Sequence, residues 1–169
     1  MSSSRFYYGD KAVKKVKELY PDCVLTKAHE LLIHHEGFCE GVYTDDKGVL
    51  TTGVGQTKEY FNMPFPDVFN IFLQKAKDLT PNFDSLSEEL KAAIVSATYR
   101  GDWQLSKKTR QLFNLGKYQE AADEFLNNKE YRERLLKETK DGVVKRLEYI
   151  ADCIRKGDCV KCERAKGDC

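Results

Sequence analysis

Three polar side chains, Glu36, Asp45 and Thr51, stand where a helical pattern gives way to a strand pattern. Glu36 follows a stretch with apolar Ala28, Leu31 and Leu32 at helical spacing, which places its carboxyl at the negative end of a helix dipole. That location disfavours a charged carboxylate and suits a general acid. Asp45 begins the turn-forming run Asp45-Asp46-Lys47-Gly48, a polar setting suited to a charged carboxylate. Two carboxyls in unlike environments are a recurrent arrangement for glycoside hydrolysis, where one gives a proton and the other serves water or attacks. The chain holds 27 acidic residues, most of them solvated surface groups, so position alone leaves this pair one candidate among several.

The elements that must position these residues are mostly helices. Asp10 is placed to cap a helix over Lys11–Tyr20, which Pro21 ends. Thr26 is the expected N-cap of the helix leading to Glu36, and Gly37 stops it. Val42-Tyr43 and Val49-Leu50-Thr51-Thr52 read as two strands of a hairpin around the Asp45–Gly48 turn. Gly53 and Gly55 mark a bend or a close backbone approach. Pro66 fits the first turn of a helix running to about Leu79, with Val68, Ile71, Phe72 and Lys75 along one face. Ser85 to Glu88 resembles a capping box, with Ser87 the alternative cap, ahead of a buried helix carrying Leu90, Ala93, Ile94 and Ala97. Gly101 ends that helix. Further helices are expected at 107–115, 118–126, 130–137 and 143–156. The fold class is therefore α+β and mostly α: a small N-terminal unit with a β-hairpin, a connecting helix and a helical C-terminal lobe. A cleft between two such lobes is a common seat for a polymer.

Composition sets the outer limits. The 169 residues are 41% hydrophobic and 33% charged, enough apolar material for a core and too much for a disordered chain. Lys and Arg number 28 against 27 acids, a net charge of +1 that gives no electrostatic footprint for nucleic acid. No apolar run approaches the ~20 residues of a membrane span. Six cysteines, with Cys153, Cys159, Cys162 and Cys169 crowded at the C-terminal end, suggest disulfides and an oxidising compartment. Met1–Tyr8 has no apolar stretch of the signal-peptide kind. The expectation is the mature form of a secreted protein behind a start Met; an intracellular chain with reduced thiols is the alternative.

The run from His35 to Gly55 resembles the catalytic segment of phage-type lysozymes, the muramidases of the T-even phage class in glycoside hydrolase family 24. That pattern is Glu-Gly, a Tyr shortly before an Asp, a Gly turn, a Thr and Gly-x-Gly. Here it is met by Glu36-Gly37, Tyr43, Asp45, Gly48, Thr51 and Gly53-Val54-Gly55. Leu90 to Gly101 looks like the family's central buried helix, and Gly142 to Glu148 is similar to its late Gly-Leu-x-x-Arg-Arg-x-x-Glu element. The likeness covers roughly residues 26–155 and implies a lysozyme-like two-lobe domain over 1–156. Its parts are an N-terminal lobe at about 22–65, a connecting helix at about 66–79 and a helical lobe at about 80–156. A cysteine-rich tail over 157–169 follows.

The resemblance implies hydrolysis of the β-1,4 bond between N-acetylmuramic acid and N-acetylglucosamine in peptidoglycan. Glu36 is then the general acid, and Asp45 and Thr51 hold a water on the opposite face of the sugar, giving inversion. That route needs carboxyls roughly 6.5–9.5 Å apart. It implies a monomer acting on glycan strands, without nucleic acid, membrane, metal or other cofactor. Two departures stand out. Gln56 replaces the His that follows Gly-x-Gly in the family, which removes a structural ion pair. Thr98-Tyr99-Arg100-Gly101 replaces Phe-Asn-x-Gly, which puts the second lobe's sugar contacts in doubt. A non-catalytic peptidoglycan-binding protein and a bacteriocin-like toxin on the same fold are the alternatives.

Other motifs have plainer readings. His29 and His34 imitate a zinc-protease pair, but at i and i+5 they diverge around a helix. The terminal cysteines fit disulfides better than a four-cysteine zinc site, and one of them joined to Cys23 or Cys39 would tie the C-terminus to the N-terminal unit. Lys156-Gly157-Asp158-Cys159 is echoed by Lys166 to Cys169, too short for a repeat fold. Arg100-Gly101-Asp102 reads as a capped helix end, not an adhesion signal. Trp103 beside Arg100 either lines a sugar site or packs under a loop. Lys107, Lys108 and Arg110 form a solvated basic face with some pull on anionic cell walls. Tyr43 reads as core or hairpin packing.

Overall fold

A computed structural model describes residues 5–137 and 141–157 of the chain. It divides into two compact units, 1–72 and 73–169, with the boundary inside one helix. The first unit is built on a four-stranded antiparallel sheet in the order β1-β2-β3-β4, formed by Arg5–Tyr7, Phe38–Thr44, Leu50–Gly53 and Gln56–Thr57. The expected hairpin is β2 with β3, in a register that sets Tyr43 opposite Thr51 and Thr44 opposite Leu50. A bulge between Cys39 and Val42 separates this stretch from the earlier Cys39–Gly53 pairing. The outer strands β1 and β4, of three and two residues, are too short to show as an alternating pattern.

Two helices accompany the sheet. α1 spans Gly9–Leu19, and its N-cap is Tyr8 rather than Asp10. Asp10 lies in the first turn and meets His34 at 3.4 Å. α2 spans Lys27–Glu36 and begins at Thr26, as its sequence requires. Ala12, Val16, Leu32 and Ile33 are buried on these helices, alongside Phe38 and Val54 of the sheet region. The first unit therefore begins well before residue 22, because β1 and α1 are part of it.

α3, Phe65–Leu79, contains the boundary between the units. Its buried stripe is Phe65, Val68, Phe69, Phe72 and Ala76, which includes Val68 and Phe72 of the expected face, while Ile71 is half-buried. Lys75 is exposed.

The second unit centres on α4, Glu88–Arg100, in which Leu90 and every residue from Ala92 to Thr98 are buried. Small residues at Ala92, Ala93, Ser96 and Ala97 suit a helix enclosed on all sides. Ser87, not Ser85, is its N-cap and accepts from the Leu90 amide at 3.2 Å. Ser85 instead lies in a 3₁₀ turn and donates to the Asn82 carbonyl. Gly101 closes α4 in the left-handed region, with φ 95°. Then come α5 (Asp102–Leu105), α6 (Lys107–Asn114), α7 (Tyr118–Phe125), α8 (Lys129–Leu135) and α9 (Gly142–Lys156). α9 packs on α4 and α7, and buried Arg146 donates to the Ser96 hydroxyl and carbonyl, both at 3.1 Å. The architecture is α+β and mostly helical.

Among the described residues, Cys23, Cys39 and Cys153 form no disulfide with one another. Cys159, Cys162 and Cys169, and with them the expected bridges, the tail and the Lys-Gly-Asp-Cys echo, lie outside the described residues.

Candidate active site

Glu36 is placed by both ends of α2. At the start, the Thr26 hydroxyl accepts from the His29 amide at 3.4 Å, and His29 Nδ1 accepts from the Thr26 amide at 3.0 Å. This reciprocal cap satisfies amides that the first turn would otherwise leave orphaned. The His29 ring is buried and stacked on Phe69, with centroids 3.5 Å apart. Burial lowers its pKa to about 4, so the ring is neutral at pH 7. With Nδ1 accepting, Nε2 carries the proton and points toward Cys23 Sγ, 4.0 Å away. Neither His29 nor His34 is disposed as a zinc ligand: one caps a helix and the other meets Asp10.

At the other end, Gly37 donates to the Ile33 carbonyl at 2.7 Å and takes φ 71°, a left-handed value that favours glycine. The chain turns there from helix into β2, so Glu36 stands at a helix-to-strand corner. Its carboxyl lies against Gly55, in the turn between β3 and β4. A Cβ built on Gly55 would collide with Glu36 Oε1 and lie 3.0 Å from Cδ. Gly53 plays the same part for Gln56, whose Oε1 occupies the space a side chain would take. The Gly-x-Gly motif thus makes room for two side chains.

Gln56, at the position where the resembled phage-lysozyme pattern has His, is a neutral staple. It is buried, accepts from the Val54 amide at 3.3 Å, and donates to the carbonyls of Tyr60 at 3.1 Å and Met63 at 2.7 Å. A cavity of about 490 Å³ beside it is lined by residues such as Tyr20, Cys39, Gly41 and Thr52, and its lining does not include Glu36, Asp45 or Thr51.

Asp45 is held by the hairpin turn. Its Oδ1 accepts from the amides of Lys47 at 2.9 Å and Val49 at 2.8 Å, and its own amide donates to the Val49 carbonyl at 2.9 Å. The carboxylate is therefore oriented by backbone groups. Thr51 is 3% exposed, and its hydroxyl donates to the Val49 carbonyl at 3.0 Å. That bond spends the hydroxyl proton and leaves the oxygen as an acceptor.

Tyr43 packs within the hairpin, as its sequence position implied. It stands opposite Thr51 across the hairpin. Burial raises the pKa of its phenol, and the charges of Glu36, Cys39, Asp45 and Tyr8 add to that effect. Both candidate carboxylates therefore act on this one phenol. Phe6 of β1 meets its ring edge-on at 5.0 Å. The alternation of β2 sends Tyr43 to the face of Thr51.

Arg100 and Trp103, the expected sugar contacts, belong to the second unit and have structural work. The Trp103 side chain is wholly buried, donates from Nε1 to the Thr80 hydroxyl at 2.9 Å, and meets Phe113 edge-on. A ring with no exposed face offers nothing for a pyranose to stack on. Arg100 bonds Asp102 at 2.8 Å and both oxygens of Glu130 at 2.8 Å. Its guanidinium is committed to tying the end of α4 to α5 and α8. Arg110 likewise points inward, donating to the carbonyls of Trp103 and Gln104. That leaves Lys107 and Lys108 as the exposed cations of the α6 face.

No family model matches the chain, and no curated protein matches it significantly. Among solved structures it is similar to the active form of the P1 phage endolysin Lyz, with a TM-score of 0.57 over 88% of this chain and 94% of that one. The sequences are 12% identical, so the likeness is one of fold. It supports the phage lysozyme-like architecture that the motif implied.

Proposed function

We propose that the chain is a lysozyme-like muramidase that hydrolyses the β-1,4 bond between N-acetylmuramic acid and N-acetylglucosamine in bacterial peptidoglycan. The observation that supports this reading is the packing of Glu36 against Gly55 at the helix-to-strand corner, in the same unit as the Asp45 carboxylate oriented by the hairpin's amides. In this mechanism Glu36 protonates the glycosidic oxygen as the bond to the anomeric carbon breaks. A water attacks that carbon from the opposite face, and Asp45 takes its proton. The Thr51 oxygen accepts a hydrogen bond from that water and fixes its position. One water is consumed, and the anomeric configuration inverts.

The test is clearing of a purified peptidoglycan suspension by the wild type and by Glu36→Gln, with the folding of both checked. Gln keeps the size but has no acidic proton, so activity should fall by at least ~10²-fold. The anomeric proton signal of fresh product reads the stereochemistry. Equal clearing by both proteins removes Glu36 from the chemistry. No clearing by either, with retained binding, moves the reading to a peptidoglycan-binding protein.

We also propose that the chain works outside the reducing cytosol, as a monomer. The even cysteine count supports the first part. Alkylation of the denatured, unreduced protein isolated from its source counts its thiols, and six free thiols would overturn the oxidised reading.

A further inference from the structure

β1 brings an aromatic ring to the corner that holds Glu36. Its pairing with β2 sets Tyr7 opposite Phe38, so the next residue, Tyr8, arrives beside Gly37. The position of a Cβ on Gly37 is 3.3 Å from Tyr8 Cδ1 and 3.4 Å from Cε1, so the ring lies directly over this glycine. Gly37 is the immediate neighbour of Glu36. Tyr8 is nonetheless 69% exposed. Nearby in the same sheet, Phe6 of β1 meets Tyr43 edge-on at 5.0 Å. Tyr8 thus stands as an exposed ring beside Gly37, in the same sheet unit as Glu36 and the Phe6–Tyr43 pair.

We propose that Tyr8 is a sugar-binding residue: its exposed face stacks on a pyranose ring of the glycan strand, next to the bond that Glu36 acts on. A pyranose presents an apolar face of axial C–H groups and a polar rim of hydroxyls. A fixed aromatic ring complements the apolar face at low entropic cost, since strand pairing and Gly37 have already positioned its backbone. The backbone of β1 does the positioning, so the stacking surface comes preformed. Gly37 contributes by lacking a Cβ, because an alanine there would push the ring away from the corner. This inference rests on the muramidase reading for the identity of the sugar, but the stacking itself needs no catalysis.

The experiment separates the two. Binding of a soluble N-acetylglucosamine oligomer is followed by NMR in the inactive Glu36→Gln protein, with and without Tyr8→Ala and Tyr8→Trp. In parallel, kcat and KM are measured on soluble peptidoglycan fragments in the otherwise wild-type chain. Loss of stacking should weaken oligomer binding about ten-fold, and KM should rise while kcat changes little. Tyr8→Trp should restore affinity, which a merely structural role for the phenol would not do. Tyr8 ring signals should shift on titration in the Glu36→Gln protein. If Tyr8→Ala binds and cleaves like the wild type, the proposal on Tyr8 falls while the muramidase stands. If oligomer binding depends on Tyr8 but the wild type cleaves nothing, the hydrolase reading falls and the sugar site stands. A wild type that neither binds nor cleaves overturns both.

Discussion

The two units hold their polar groups by different means. In the sheet unit, the Asp45 carboxylate is oriented by amides of its own turn, Gln56 is stapled to two carbonyls, and Gly55 lends its empty side-chain position to Glu36. In the helical unit, several carboxylates are answered by cations. Arg100 bonds Asp102 and Glu130, Arg134 bonds Glu130 at 3.2 Å and Asp141 at 2.8 Å, and Lys137 reaches Asp141 at 3.2 Å. Backbone groups fix a carboxylate's direction without surrounding it with mobile cations. Guanidinium pairs instead commit both partners to each other. The comparison teaches that the Asp45 carboxylate is oriented with no cation set against it among the described residues, whereas Glu130 is committed to two arginines.

The sharpest break would come from Trp103. If it belongs to the core, Trp103→Ala should cost about 3–5 kcal/mol and leave the Thr80 hydroxyl without its partner. Denaturant unfolding measures that loss. Trp103→Phe should be milder, and its KM for glycan should equal that of the wild type. A raised KM at unchanged stability would return Trp103 to the sugar site and erase the division of labour.

Acid tests the sheet unit next. His29 is neutral in the fold, with its pKa lowered by burial to about 4 against 6.5 for a free ring. Below pH 6.5 the unfolded chain takes up a proton that the native ring refuses. Stability is therefore complete above about pH 6.5 and declines until about pH 4, by about 3 kcal/mol in total. Urea midpoints across that range should show the slope, and His29→Gln should flatten it. Because His29 caps α2 and Glu36 ends it, activity in acid should fade along with the cap.

How far the fold was legible follows from the reach of each signal. Thr26, Gly37, Ser87 and Gly101 declare helix ends through interactions within three or four residues, and the Asp45 turn declares the hairpin in the same way. β1, with three residues, and β4, with two, are too short for alternation to register, so half of the sheet was invisible. α5, with four residues, escaped for the same reason. In the site, the Glu36, Asp45 and Thr51 set was readable as a motif. What escaped was anything fixed by distant partners: Thr80 accepts from Trp103 across 23 residues, and Glu130 pairs with Arg100 across 30. Tyr8 was passed over because only the β1 register reveals where it lands.

A substitution that changes charge alone addresses the turn. Asp45→Asn keeps an Oδ1 that accepts from the Lys47 and Val49 amides, so the hairpin should persist with a shift of only a few degrees in Tm. Activity should nonetheless drop by about 10²-fold, or about 2.7 kcal/mol in the barrier, because the amide cannot take a proton from water. Asp45→Ala would lose both the turn and the charge, and the difference between the two variants measures what the backbone bonds contribute. If Asp45→Asn were fully active, the turn would be the whole purpose of the residue.

The smallest effect belongs to the helical unit's network. Burial pulls the Glu130 pKa upward, but the bonds from Arg100, with those from Arg134, hold it below the ordinary carboxylate range. Its contribution is thus present above about pH 4.5 and fades as pH falls through the lowered value. Glu130 keeps 39% of its side chain in solvent, so water screens the pair, and Glu130→Gln should cost only about 1 kcal/mol. The loss should appear at pH 7 and vanish in acid, once the wild-type carboxylate is itself protonated. Because Glu130 answers to arginines alone, kcat and KM on glycan should stay at wild-type values. A change in kcat at preserved stability would mean that the helical unit's charges reach the reaction.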